Sequence, residues 1–372
     1  MKTKVTILLL TCCLLALAAW LVHESNPAQA DEIPKKYRET VNKGLEYLVK
    51  NQCEDGHWEG DGGKHPVAMT GLAGLALLME TQNLSWDESN KLQYIKKHTA
   101  NVRKAADWLM DKSQARRDGL IFSGHPSETA RYMQGHGLAT LFLAGACRYE
   151  EDRELQTRRN DVLTRAVKYI VNAQSTQGGW YHTSKVEGHD FDVISATVIQ
   201  IQALQAAENA GIPVPNDTLH DAQEYLKTAM RKYEEGAKLG QKHRNRPADT
   251  AAALACRFSI TDLFFDEKNE LCKKWFKYCQ TEIPVGRAIQ FGRDELTHYY
   301  YAQAVYSSGG DAWSGYRTAM FDHLQSSQHK DGSWPSGDGT SDGPVHATAV
   351  WCTILQLDGN GHPSTQRRVN NK

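Results

Sequence analysis

One short spelling recurs along the chain and constrains its fold more than any other feature. An aromatic residue, an apolar residue and four more ending in Gln read Tyr47-Leu48 to Gln52, Tyr169-Ile170 to Gln174, Trp275-Phe276 to Gln280 and His323-Leu324 to Gln328. Trp108-Leu109 to Gln114 carries one extra residue, and Tyr225-Leu226 to Met230 keeps the apolar pair but loses the Gln. The six anchors are separated by 62, 60, 56, 50 and 48 residues. A repeat of this length is a supersecondary unit that buries its apolar face only against its neighbours.

Each unit has the same internal order. A helix-period segment comes first, as in Val41, Leu45, Leu48 and Val49. A glycine turn follows, spelled Asp55-Gly56-His57-Trp58, Asp118-Gly119-Leu120-Ile121, Gln177-Gly178-Gly179-Trp180 and Asp331-Gly332-Ser333-Trp334. A second helix then runs rich in small and apolar residues, as in Ala68 to Met79, Leu138 to Ala146, Ile194 to Ala207 and Ala347 to Leu357. The first helices carry Lys, Arg and Glu and read as a solvated layer; the second read as buried on most sides. No useful β-period alternation appears. The expected class is all-α, with six helical hairpins closed into an (α/α)6 barrel or stacked as an open solenoid. The well-formed last unit, which lacks a polar cap, favours closure. The turn Trp is expected to pack under the preceding helix end, with the Gln bridging to the next unit.

The chain begins with Lys2 and Lys4, an apolar run from Val5 to Val22, and the small-x-small pattern Ala28-Gln29-Ala30. These read as a signal peptide over 1–30, cleaved after Ala30, and so as export to the periplasm or outside; an uncleaved anchor is the alternative. The repeat domain is expected over 31–358 and a disordered tail over 359–372. Net charge is −1 across 43 basic and 44 acidic residues, which leaves no footprint for nucleic acid and none for an anionic membrane surface. Cys53, Cys147, Cys256, Cys272, Cys279 and Cys352 form no CxxC pair, so neither a zinc ribbon nor a redox motif is offered. Glu234 to Arg246 reads as a solvated basic loop. Nucleophile-elbow, P-loop, HExxH and dinucleotide-binding spellings are missing.

The Gln-x2-Asp-Gly-x-Trp spelling at Gln52 and Gln328, with its variant at Gln174–Trp180, resembles the repeat of squalene/oxidosqualene cyclases and protein prenyltransferase β subunits. The resemblance spans about residues 36–358 and implies an α/α toroid with a central cavity for an isoprenoid or another apolar substrate. It fixes chemistry less well than fold, because function is grafted separately onto such scaffolds.

Candidate functional residues gather at the starts of the second helices. Asp190-x-Asp192 is a carboxylate pair, in which crowding can keep one member protonated, though helix capping is the simpler role. The resemblance matches Asp192 to the cyclases' alkene-protonating Asp, with Val193 replacing the neighbouring acid. The prenyltransferase comparison implies a zinc set of Asp294, His298 and His346, with Leu296 where a thiolate should stand; a hydrogen-bonded structural His is the alternative. His298 and His346 accordingly join Asp190 and Asp192 as catalytic candidates. Tyr299, Tyr301, Tyr132 and Trp351 could line a cavity and stabilise a cation, with Arg131 as a further substrate contact. Two other functions remain open. One is a non-catalytic binding module. The other is a polysaccharide lyase or hydrolase using Glu128, Arg131, Tyr132, His136 and His298.

Overall fold

The computed structural model describes residues 33–82, 91–111, 116–147, 152–239, 246–256, 270–336, 342–360 and 362–364, all within the unit Glu32–Lys372. The expected signal peptide lies outside them. The described residues are helical with no named strand; an isolated bridge joins Gly60 and Lys64. No helix among them is long and apolar enough to cross a membrane.

The helices alternate in character along the chain. The amphipathic members are α1 (Lys35–Lys50), α3 (Lys91–Met110), α5 (Arg153–Ala173), α7 (Asn216–Lys238), α9 (Glu270–Glu282) and α11 (Gly310–Ser327). Helix α1 buries Tyr37, Val41, Leu45 and Leu48 along one stripe and turns its Lys and Glu residues outward. Between them run α2 (Pro66–Gln82), α4 (Tyr132–Cys147), α6 (Ile194–Asn209), α8 (Arg246–Cys256), α10 (Glu295–Ser308) and α12 (Gly343–Leu355). Every residue of α4 except Gln134 is buried, as expected of a helix that is apolar all round.

The buried helices pack in sequence order: α2 on α4, α4 on α6, α6 on α8, α8 on α10 and α10 on α12. Helix α12 in turn packs on α2. Glycine makes one of these approaches possible: a Cβ on Gly71 of α2 would sit 2.7 Å from the carbonyl carbon of Leu138 in α4. In the outer layer α11 meets α1, where the Tyr37 hydroxyl donates to Asp322 at 2.7 Å and Lys36 pairs with the same carboxylate.

Three turns share one bonding scheme. The Gln side chain donates from Nε2 to a carbonyl of its own turn and to a carbonyl of the next amphipathic helix. Gln52 reaches Gly56 and Asn101, Gln174 reaches Gly178 and Thr218, and Gln328 reaches Gly332 and Thr40. The turn Trp is fully buried and donates its indole N–H to the end of the preceding helix: Trp58 to Leu48, Trp180 to Ile170 and Trp334 to Leu324. Each bond satisfies one of the carbonyls that a helix C-terminus leaves open.

Two sequence expectations need correction. Helix α7 continues through Lys238, so Glu234 to Lys238 is helical, and Glu234 accepts from the Trp275 indole at 2.9 Å. Residues 240–245 of the expected loop lie outside the described residues. The packed chain also runs beyond 358: the short helix α13 spans Leu357–Asn360, and His362 and Ser364 are buried. His362 bonds the Tyr299 hydroxyl at 2.7 Å, which fixes this segment to α10. Residues 365–372 of the expected tail lie outside the described residues. No disulfide joins Cys272 and Cys279 among the described residues.

Candidate functional site

The turns deliver charged and polar residues to the starts of the buried helices, around a cavity of about 280 Å³. Leu72, Leu138, Ile199 and Val350, from four different helices, give it apolar walls. Arg131, His182, His346 and Asp342 stand among its polar lining. A second, wider cavity of about 740 Å³ adjoins it, and Arg131, His182 and Ser195 line both. The wider one carries Asp192, Asp249, Lys232 and two tyrosines.

The rim is held by its own bonds. Glu128 is buried, accepting the Val67 N–H at 2.7 Å and the Ser123 hydroxyl and N–H. It therefore caps α2 from the neighbouring hairpin, and this commitment leaves it unsuited to acid–base work. The adjacent Ser127 hydroxyl accepts the His65 N–H at 2.9 Å. His65 has φ +54°, a left-handed conformation that costs a non-glycine residue free energy and that is concentrated at functional sites. Burial depresses the basicity of His346; Asp342 opposes that effect and His65 adds to it. Burial, with Arg131 beside it, likewise holds His182 below the usual imidazole range.

The expected site residues divide. Tyr132 and Tyr299 line the smaller cavity, but their hydroxyls are engaged, Tyr132 accepting from the Ser184 N–H and Tyr299 bonding His362. Tyr300, which the sequence did not single out from its neighbours, also lines it, with a buried hydroxyl that has no partner. Tyr301 instead packs edge-on against Tyr316, and Trp351 lies in the core against Phe291 and His298. Neither lines the cavities. Asp190 is exposed and accepts from the Thr176 N–H and hydroxyl, which hold its carboxyl below the usual range. It braces its turn.

Asp192 differs. Burial pushes its carboxyl up, against the opposing pull of Ser175 and the Gly179 backbone, and it faces the wider cavity. A Cβ on Gly179 would lie 2.6 Å from its Oδ1. Asp249 in the same cavity is also raised by burial, while the Tyr233 hydroxyl donates to its Oδ2.

The zinc set implied by the family resemblance does not fit. His298 is fully buried with both ring nitrogens bonded, Nδ1 to the Tyr316 hydroxyl and Nε2 to the Pro284 carbonyl. Asp294 accepts the Gln290 N–H at 2.7 Å. Among the described residues only Cys53, His57 and Glu59 bring three ligand atoms within 4.8 Å of one another. His136 is likewise structural, accepting the Ile121 N–H on Nδ1 and facing the Ala166 carbonyl through Nε2. That removes His136 and His298 from the lyase set.

No protein-family model matches the chain, and neither does any curated protein.

Proposed function

We propose that the six hairpins close into an α/α toroid, exported through its N-terminal segment, that binds a small amphipathic ligand of the isoprenoid class in its centre. The cycle of buried-helix contacts, ending with α12 on α2, supports the toroid. The observation that carries the ligand class is the cavity of about 280 Å³, which takes apolar side chains from four helices and has Arg131, His182 and His346 among its polar lining. An apolar chain fills the interior and an anionic head meets the Arg131 guanidinium. Asp192 then stands on the head-group side, at the wider cavity, where its raised carboxyl is suited to proton donation.

The raised carboxyls of Asp192 and Asp249 in one wide polar cavity favour a second reading, the acid-catalysed hydrolysis of a glycan. Native mass spectrometry of residues 31–372 with farnesyl phosphate, alongside incubation with neutral and acidic oligosaccharides, separates the two. One-to-one binding weakened at least tenfold by Arg131→Ala is the expected result. Failure to bind, with oligosaccharide cleavage that disappears in Asp192→Asn, would replace the first reading by the second.

A further inference from the structure

We infer that the first turn holds a zinc-class divalent cation through Cys53, His57 and Glu59. Their ligand atoms lie within 4.8 Å of one another, and thiolate, imidazole and carboxylate together form a three-ligand zinc set that leaves a fourth position for water. The histidine is already oriented. Asp55 holds Nδ1, and Nε2 points to Glu59 Oε1 at 3.0 Å, which is the carboxylate–histidine arrangement that supports a metal-bound imidazole. The ring stacks on Trp108 of α3 at 4.8 Å, and the Trp108 indole donates to the other oxygen of Asp55.

The turn itself does not require these residues. The bond from the Cys53 N–H to the His57 carbonyl recurs at 2.9 Å between Ser175 and Gly179 and between His329 and Ser333. In those two turns the position of Glu59 is taken by Tyr181 and Pro335. The ligand types therefore come together in one turn without any shared structural need for them. On binding, the Cys53 thiol loses its proton to solvent, the cation enters between Nε2 and the Glu59 carboxylate, and the turn after α1 is tied to α3 through Trp108.

The test uses the intact chain with metal alone. Cobalt(II) should bind at one equivalent with a thiolate-to-metal charge-transfer absorption that disappears in Cys53→Ser. Zinc affinity should fall at least tenfold in His57→Gln and in Glu59→Gln, with far-UV circular dichroism unchanged. A measurement on the unsubstituted protein guards against misfolded variants. Cys53 is the half-buried thiol, while the other described cysteines are buried, so zinc should slow alkylation of Cys53 at least tenfold and a chelator should restore the rate. Binding that survives Cys53→Ser and His57→Gln unchanged, or alkylation indifferent to zinc, would overturn the assignment.

Discussion

The side-chain amide of Gln328 donates to the Thr40 carbonyl at 2.9 Å, joining residues 288 positions apart. The same nitrogen donates to Gly332, so one glutamine ties its own turn to the first amphipathic helix. Gln328→Ala removes both bonds and leaves two carbonyls to find other donors. The expected cost is about 2 kcal/mol, at roughly 1 kcal/mol for each bond. Urea unfolding followed by tryptophan fluorescence would measure it, and a loss below a few tenths of a kcal/mol would show that water replaces the amide without penalty.

Glycine turns differ in how much they tolerate. Gly332 has φ +95°, and a Cβ there would collide with the Lys43 carbonyl oxygen, a backbone atom of α1. Gly62 has φ +71° with nothing within 4 Å of the same added atom. Gly62→Ala should therefore cost only the backbone strain of about 1 kcal/mol, whereas Gly332→Ala adds displacement of α1 and should cost at least twice as much. Thermal melts of the two variants side by side provide the comparison.

Tyr300 offers a discriminating change. Its buried hydroxyl has no partner beside the smaller cavity, which costs the free protein about 1–3 kcal/mol. Tyr300→Phe should raise the melting temperature of the empty protein. If the hydroxyl serves the ligand, the same change should weaken farnesyl phosphate binding several-fold. A stabilised variant with unaltered binding would remove Tyr300 from the ligand's contacts.

His136 sets part of the acid sensitivity. Burial pushes its basicity down to about 4, opposed by the Ala166 carbonyl, and Nδ1 is already occupied as the acceptor of the Ile121 N–H. The unfolded chain takes up a proton near 6.5 that the folded protein refuses. Its contribution to stability is therefore intact above about pH 6.5 and lost as pH falls toward 4, on the order of 1 kcal/mol per pH unit. Thr70 and Thr197 accept the equivalent turn N–H groups of Trp58 and Trp180. His136→Thr should accordingly flatten the fall in urea midpoint between pH 7 and 5.

The scaffold was legible because its signal is periodic. The Gln and Trp spellings mark the residues that bridge adjoining helices, and the alternation of charged and apolar helices gave the two layers. The site was less legible, for identifiable reasons. In the sequence His298 reads as a catalytic group through the prenyltransferase resemblance, and both His136 and His298 read as members of a lyase acid–base set. His136 instead accepts a turn N–H as Thr70 and Thr197 do, and His298 is held through both ring nitrogens by Tyr316 and Pro284. Tyr299, Tyr300 and Tyr301 differ only in helical phase, and small errors of phase decide which one reaches the cavity. His182 and Asp342 were missed because they sit in connections, where no periodicity marks what a side chain faces.

The bond between Gln328 and Thr40 also bears on how the molecule assembles. A repeat array with free ends can nucleate anywhere and lengthen one unit at a time. Here the last outer helix must find the first across 288 residues, and α12 must find α2. Such long-range pairing adds loop-closure entropy and slows folding relative to local helical packing. A chain that stops short of Gln328 would lack the donor that ties the last turn to the first amphipathic helix, so the contact joining the repeat's first and last units is the one to form only when nearly all of the repeat has been made.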